Sequence, residues 1–230
     1  MLLPPIKPKP PAAALPANIC RRHAIGVAAM LLLLATTVPA RATPLALSAG
    51  DKTLVAQIET YLNAQKGLTA TFLQVDASGA TRTGKAWLQR PGKMRFAYDP
   101  PDPQLLIAGF GLLVYHDPQL DQTTNIPLEA TPLGILLAPH VKLESASVYI
   151  TNINRQPGQI DLSLVRRGKE AAGTLTLSFS TDPLELQGWT VTDAQGKQTS
   201  VHLYDIAPGG PFPDSLFEYN QDSGNFSSNG

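Results

Sequence analysis

The chain has 230 residues, with 18 Lys and Arg against 18 Asp and Glu, 43% apolar residues and a single cysteine, Cys20. Residues 1–42 hold five basic side chains and no acidic one, so residues 43–230 carry 13 basic and 18 acidic ones, a net charge of −5. A mildly acidic body argues against a nucleic-acid partner, whose binding surface is basic. One cysteine excludes an internal disulfide framework, and the histidines of the body lie on separate segments without the spacing of zinc ligands.

The first 42 residues have the layout of a secretory signal peptide. An apolar run of 14 residues, from Ile25 to Val38, follows Arg21 and Arg22. It is shorter than the roughly 20 residues of a bilayer span, and Ala40-Arg41-Ala42 follows it as a small-x-small cleavage site. We therefore predict export to the periplasm with cleavage near Ala42. The twin arginines leave both the Sec and the Tat routes open.

The rest of the chain is predicted to form a single domain over residues 43–220. Residues 221–230 are rich in Gly, Ser and Asn, and we expect them to be a disordered tail.

One helix is predicted between Asp51 and Lys66. Its apolar residues occupy positions i, i+1, i+4, i+7 and i+8, which form one stripe of a helix; they are Leu54, Val55, Ile58, Tyr61 and Leu62. Ser48 or Asp51 can cap the start, and Lys66-Gly67 is a typical C-terminal signal.

After Gly67 the apolar period changes from 3.6 to 2, which predicts strands. Short strands separated by turn signals every 8–12 residues indicate an antiparallel sandwich or barrel. The predicted strands are Leu68–Val75, Arg82–Gln89, Met94–Tyr98, Gln104–Ala108, Leu112–His116, Gln122–Ile126, Val148–Asn154, Gln159–Arg166, Thr174–Ser180, Leu186–Thr192, Gln198–Asp205 and a last short one at Leu216–Tyr219.

A second, short helix is predicted within Thr131–Ala138, between two polar strands. Thr131 suits the N-cap and Pro132 the first helical position. The segment is apolar nearly all round, so we expect it to be buried like a plug.

The cover predicted for the sheet is thin. One helix and a short plug must shield the apolar face of about eleven strands. Two interpretations remain open: the sheet closes on its own side chains as a packed core, or the helices form a lid over a hydrophobic hollow.

Catalysis is not expected, because no nucleophile elbow or phosphate-binding loop occurs and Asp99 and Asp102 lie in a proline-rich turn. We expect no cofactor and no metal.

Two stretches carry a family resemblance. Leu68-Thr-Ala-Thr-Phe72-Leu-Gln74 is followed by Gly84-Lys-Ala-Trp87-Leu-Gln-Arg90-Pro91-Gly-Lys-Met-Arg-Phe96-Ala-Tyr98-Asp-Pro-Pro. Together they resemble the periplasmic outer-membrane lipoprotein carrier family, LolA. The chain departs from the family where Gly109-Phe110-Gly111 replaces the usual Asp-Gly turn, and where the Pro-rich stretch 208–213 precedes the last strand.

The resemblance implies an incomplete antiparallel β-barrel, mainly β with a helical lid, that encloses a hydrophobic cavity for the acyl chains of lipoproteins. It also implies that Arg90 latches the barrel to the lid. The expected cavity residues come from both predicted helices and the first three strands; they are Leu54, Ile58, Leu62, Leu68, Phe72, Leu88, Met94, Phe96, Leu133, Leu136 and Leu137.

The function implied is transfer of lipoproteins from the inner to the outer membrane by a monomeric carrier. Its partners would be acylated lipoproteins, a lipoprotein-releasing transporter of the inner membrane and an acceptor on the outer membrane. Two alternatives stay open at this point. The same scaffold could carry or sense a non-protein lipid, such as a glycolipid or a fatty acid, or it could be a structural periplasmic module with a filled core.

Overall fold

The computed structural model describes residues 43–219. The predicted signal peptide, its cleavage near Ala42 and the predicted tail 221–230 lie outside these residues. Within the described part, no helix is both long and apolar enough to cross a bilayer.

The strands form one antiparallel sheet of eleven, in the order β6-β5-β4-β3-β2-β1-β11-β10-β9-β8-β7. The first and last strands of the chain pair with each other, so β6 and β7 form the two edges of an open barrel. This confirms the predicted fold class. The strands are β1 Gly67–Val75, β2 Thr81–Gln89, β3 Lys93–Tyr98, β4 Leu105–Gly109, β5 Leu112–Asp117, β6 Gln122–Pro127, β7 Val148–Gln156, β8 Gln159–Arg166, β9 Thr174–Thr181, β10 Leu184–Thr192 and β11 Gln198–Pro208.

The main helix, α1, spans Ala49–Ala64 and begins with a capping box. The Ser48 hydroxyl accepts the Asp51 N–H at 3.1 Å, and the Asp51 carboxylate accepts the Ser48 N–H at 3.0 Å. Ser48 is therefore the N-cap. The helix ends two residues before the predicted Lys66, because Gln65 already has extended backbone angles and the Lys66 carbonyl accepts the Arg90 N–H at 3.0 Å.

The core lies between α1 and the concave face of the sheet. The helix buries Val55, Ile58 and Leu62 on strands whose inward residues alternate with outward polar ones. Beneath it, the rings of Phe72 and Phe96 contact each other at a tilt of 50°, with their centroids 4.5 Å apart. The predicted helical stripe is thus the face that packs on the sheet.

The second helix, α2, spans Leu133–Leu136, and all four of its residues are buried, as predicted for a plug. The predicted cap was wrong. Pro132 occupies the N-cap position and makes no side-chain hydrogen bond. The Thr131 hydroxyl instead donates to the Leu128 carbonyl at 2.8 Å, because Leu128–Ala130 forms a 3₁₀ turn that uses this hydroxyl before α2 begins.

The predicted last strand, Leu216–Tyr219, was also wrong. The chain forms a 3₁₀ turn over Asp214–Phe217 on the outer face of β3 and β4. Its carbonyl at Leu216 accepts a hydrogen bond from Arg95 at 3.1 Å, and Phe217 is buried against Gly109. These contacts with the face of the sheet replace the edge pairing that a strand would need.

Candidate functional site

The predicted cavity residues meet in one place. Ten of them are buried in a single hydrophobic cluster beneath α1, and Leu54 packs against it half-buried. The ten are Ile58, Leu62, Leu68, Phe72, Leu88, Met94, Phe96, Leu133, Leu136 and Leu137. Their role as a binding surface for acyl chains stays a prediction.

Among the described residues, the space beside Arg90 is nearly filled in this structure, and the hydrophobic cavity stays a prediction. The space that adjoins Arg90, bounded by Leu68, Leu88, Leu136 and Leu186, has a volume of about 10 Å³, which is barely enough for one water. The loop after α2 adds Val141 and Leu143, both fully buried, to the cluster. This closure was not foreseen, because the sequence does not show how far that loop folds inward.

Arg90 lies where the end of β2 meets both helices. Its guanidinium donates to the Leu62 carbonyl in the last turn of α1, while the Gly92 N–H donates to the Leu137 carbonyl at 2.9 Å. No carboxylate of the described residues forms an ion pair with Arg90. Burial of its half-buried side chain lowers its pKa. A charge is therefore held at the lid by a backbone acceptor.

A second side of α1 is tied to the loop after α2. The Asn63 side chain accepts the Val141 N–H at 2.9 Å and donates to the Val141 carbonyl at 3.0 Å. The Glu59 carboxylate accepts the Leu143 N–H at 2.8 Å and the Lys142 ammonium at 3.0 Å. These bonds join α1 and the α2 loop into one unit.

The remaining tethers lie at the start of α1 and beside β10. Asp51 pairs with Arg155 of β7 at 2.5 Å. The Tyr61 hydroxyl accepts the Leu186 N–H at 3.1 Å, and burial raises the pKa of Tyr61.

Sequence reasoning missed Glu59, Asn63 and Arg155 as functional candidates. Glu59 and Asn63 flank the apolar stripe four residues apart, which is the signal that marks a polar border of a buried helix face. Their partners lie about 80 residues further along the chain, in a loop whose apolar residues follow no helical or strand periodicity. In the described part, no group of three His, Cys, Asp or Glu side chains could hold a metal ion.

These features define an open antiparallel barrel whose apolar interior is covered by a helix, with a few hydrogen bonds around the last turns of that helix. The sequence model of the family described as outer membrane lipoprotein carrier protein LolA matches residues 63–220. The chain belongs to this family.

Relatives of the chain carry the same description. An outer-membrane lipoprotein carrier protein of Pseudomonas aeruginosa is 31% identical over 169 residues, which cover 69% of this chain and 79% of the relative. One of Methylococcus capsulatus is 27% identical over 186 residues, which cover 77% and 88%. Among solved structures, a LolA superfamily protein from Nitrosomonas europaea aligns with a TM-score of 0.40 and 7% identity over 72% of this chain and 95% of its own.

Proposed function

We propose that the protein is a periplasmic carrier, without enzymatic activity, that holds the acyl chains of lipoproteins between α1 and the sheet and takes them from the inner to the outer membrane. The observation that carries this proposal is the hydrogen bond from Arg90 to the Leu62 carbonyl. It is one of a few polar contacts between the helices and the sheet, and such a contact can break and re-form. The residues expected to contact the chains are the buried cluster named above, with Arg90 as the latch.

The energies of closing and of loading are similar. Burial of Val55, Ile58 and Leu62 is worth about 1.5–3 kcal/mol per side chain, so lifting α1 exposes roughly 5–9 kcal/mol of apolar contact. Burying about ten methylenes of an acyl chain returns about 8 kcal/mol. Cargo can therefore replace the helix on the sheet without binding so tightly that it cannot leave.

The expected partners are those that the resemblance to the family implies. A transporter of the inner membrane would supply the acylated lipoprotein, and an acceptor on the outer membrane would remove it. The carrier would act as a monomer, because one sheet and its own helices form the whole site.

The test compares acylated with unacylated cargo. The chain is purified from the periplasm, retained lipids are identified by mass spectrometry, and binding of a triacylated lipoprotein is measured against the same protein without its acyl chains. We expect a complex with the acylated form alone. Retention of a glycolipid or fatty acid, together with no binding of triacylated lipoprotein, would instead make the protein a carrier of non-protein lipid.

A further inference from the structure

The concave face of the sheet is apolar over most of its length and polar at one end. Along β1, β2 and β3, the inward residues Phe72, Ala86 and Phe96 belong to the buried cluster. The same alternation makes the last inward residue of each strand, beside the segments 76–80 and 99–104, a polar one. On β5, the alternation that turns Leu113 toward the cluster turns the residue two places further inward as well. The residues of this polar end are Gln74, Arg82, Tyr98 and Tyr115.

The polar end is continuous with the apolar interior. Gln74 and Arg82 are direct partners across the ladder between β1 and β2, and the Tyr98 hydroxyl donates to Gln74 Oε1 at 2.8 Å. The other side of the Tyr98 ring meets the Phe72 ring edge-on, with centroids 5.2 Å apart. A molecule that lies along this face therefore passes from aromatic rings to polar groups within one side chain.

The two tyrosines of the polar end are neutral hydrogen-bond donors. Burial raises the pKa of Tyr98 and that of Tyr115 above the ordinary value for tyrosine, so both hydroxyls keep their protons at neutral pH. The Tyr98 hydroxyl is occupied by Gln74. The Tyr115 hydroxyl forms no hydrogen bond with the described residues, and this residue is 38% exposed. It is therefore free to donate to a bound molecule.

The segments around the polar end are acidic. Alternate turns of an antiparallel meander lie at the same end of the sheet, so 76–80, 99–104 and 117–121 are neighbours. They hold five aspartates and no Lys or Arg. Arg82 is the one cation of the polar end as defined by its four described residues, and it is already paired with Asp76 at 3.1 Å and Asp102 at 3.9 Å. An anionic group placed there would meet net negative charge.

We propose that the polar end is the subsite for the head group of the cargo, and that it selects an uncharged head group over one that carries a phosphate. The inference rests on the proposed function and adds a specificity to it. The acyl chains lie along Phe72 and Phe96, and an ester or amide oxygen of the head group accepts the Tyr115 hydroxyl. A few placed polar groups at the end of an apolar site fix the orientation of a ligand. The surrounding aspartates repel a phosphate, so they reject a phospholipid with the same chains.

The test uses two lipids that differ in one charge. They are dioctanoylphosphatidylglycerol and its phosphate methyl ester, an uncharged triester with the same chains and the same glycerol. Calorimetric titration of the full mature chain gives both affinities. We expect the triester to bind about tenfold more tightly at low salt, and this ratio to fall toward one at about 1 M salt, where charges are screened over about 3 Å.

Asp102→Asn tests the selection, and Asp161→Asn is its matched control. Asp161 lies on β8 between the inward residues Ile160 and Leu162, so it faces outward. An exposed charge pair changes a binding constant by up to about fivefold. We expect Asp102→Asn to bind the charged lipid about two- to fivefold more tightly and the triester as the wild type does. Asp161→Asn should change neither affinity.

Tyr115→Phe tests the hydrogen bond to the head group. Loss of one neutral hydrogen bond corresponds to about two- to tenfold weaker binding, and we expect this for both lipids, with the melting temperature unchanged. The control is Tyr204→Phe, since Tyr204 is exposed on β11 next to the inward Leu203. A purely structural role of Tyr115 would instead lower the melting temperature and leave both affinities in place.

The outcomes separate the two proposals. Equal affinity for the two lipids, tighter binding of the charged one, or equal effects of Asp102→Asn and Asp161→Asn would overturn the selection. Wild-type affinities in Tyr115→Phe would overturn the head-group subsite, and so would binding of a triacylated lipoprotein without binding of either short lipid. If the wild type binds no triacylated lipoprotein, the proposed function itself fails.

Discussion

Replacing Arg90 with Leu should shift the lid toward its open form. The substitution removes the hydrogen bond from the guanidinium to the Leu62 carbonyl and leaves the apolar contacts of α1 in place. Hydrogen bonds from charged donors contribute about 1.5–3 kcal/mol. The half-buried guanidinium is also partly desolvated when the lid is closed, which offsets some of this gain. We therefore use the lower end of the range, about tenfold in the ratio of closed to open forms.

This shift has a predicted signature in cargo transfer. When only the open form binds, the apparent affinity rises in proportion to the open fraction. Arg90→Leu should therefore bind a triacylated lipopeptide about tenfold more tightly. Transfer to an acceptor should be impaired more than uptake, because the latch no longer competes with the cargo. Titration with a fluorescent lipopeptide gives the affinity, and stopped-flow release to acceptor vesicles gives the transfer rate.

Arg82→Leu is the matched control for this measurement. Arg82 lies on β2, the strand that ends one residue before Arg90, and its ion-pair partners are Asp76 and Asp102 rather than a lid carbonyl. It should leave affinity and transfer unchanged. Arg90→Leu with wild-type affinity and wild-type transfer kinetics would refute the latch.

Three further predictions concern stability. The hydrogen bonds from Ser48 and the contact with Arg155 lower the pKa of Asp51 to about 2. The contribution of Asp51 to stability is therefore complete above its unfolded pKa of about 4 and is lost as the pH falls through about 2. Asp51→Asn should make the melting temperature depend less on pH across this window, and a dependence as steep as that of the wild type would contradict this. Gly84→Ala should destabilise the fold by about 1–3 kcal/mol in urea unfolding, because the added Cβ would collide with the Ala97 carbonyl and lie 2.8 Å from the Phe72 ring. An unfolding midpoint equal to that of the wild type would show that β2 and β3 can shift apart at no cost. Phe110 is 70% exposed and has a φ of +49°, a strained conformation for Phe in a turn that favours Asn. Phe110→Asn should therefore raise the melting temperature by a few degrees. A decrease would mean that contacts of the Phe110 ring stabilise the fold by more than the backbone strain costs.

The sheet was predictable because alternation is a local property. In β2, Ala86 and Leu88 point inward while Lys85 and Trp87 point outward, and this period is readable without any tertiary knowledge. The segment at 216–219 failed for the opposite reason. Its apolar residues look like a strand, but Phe217 is fixed by Gly109, a residue about a hundred positions earlier.

The apolar part of the candidate site and Arg90 were predictable, but its other polar residues were not. Ile58 and Leu62 were assigned from helical spacing, and Arg90 from a motif. The bonds of Glu59 and Asn63 depend on a loop whose path is set by packing rather than by propensity. The path of that loop is not written in residue type.

The two rims of the sheet, β6 and β7, are not bonded to each other. The diameter of a closed barrel is fixed by its number of strands and their stagger. The edge strands of an open barrel can instead move apart without breaking a hydrogen bond between strands. Under the proposed function, the same scaffold would widen around bulky cargo and narrow around slim cargo, from one acyl chain to several.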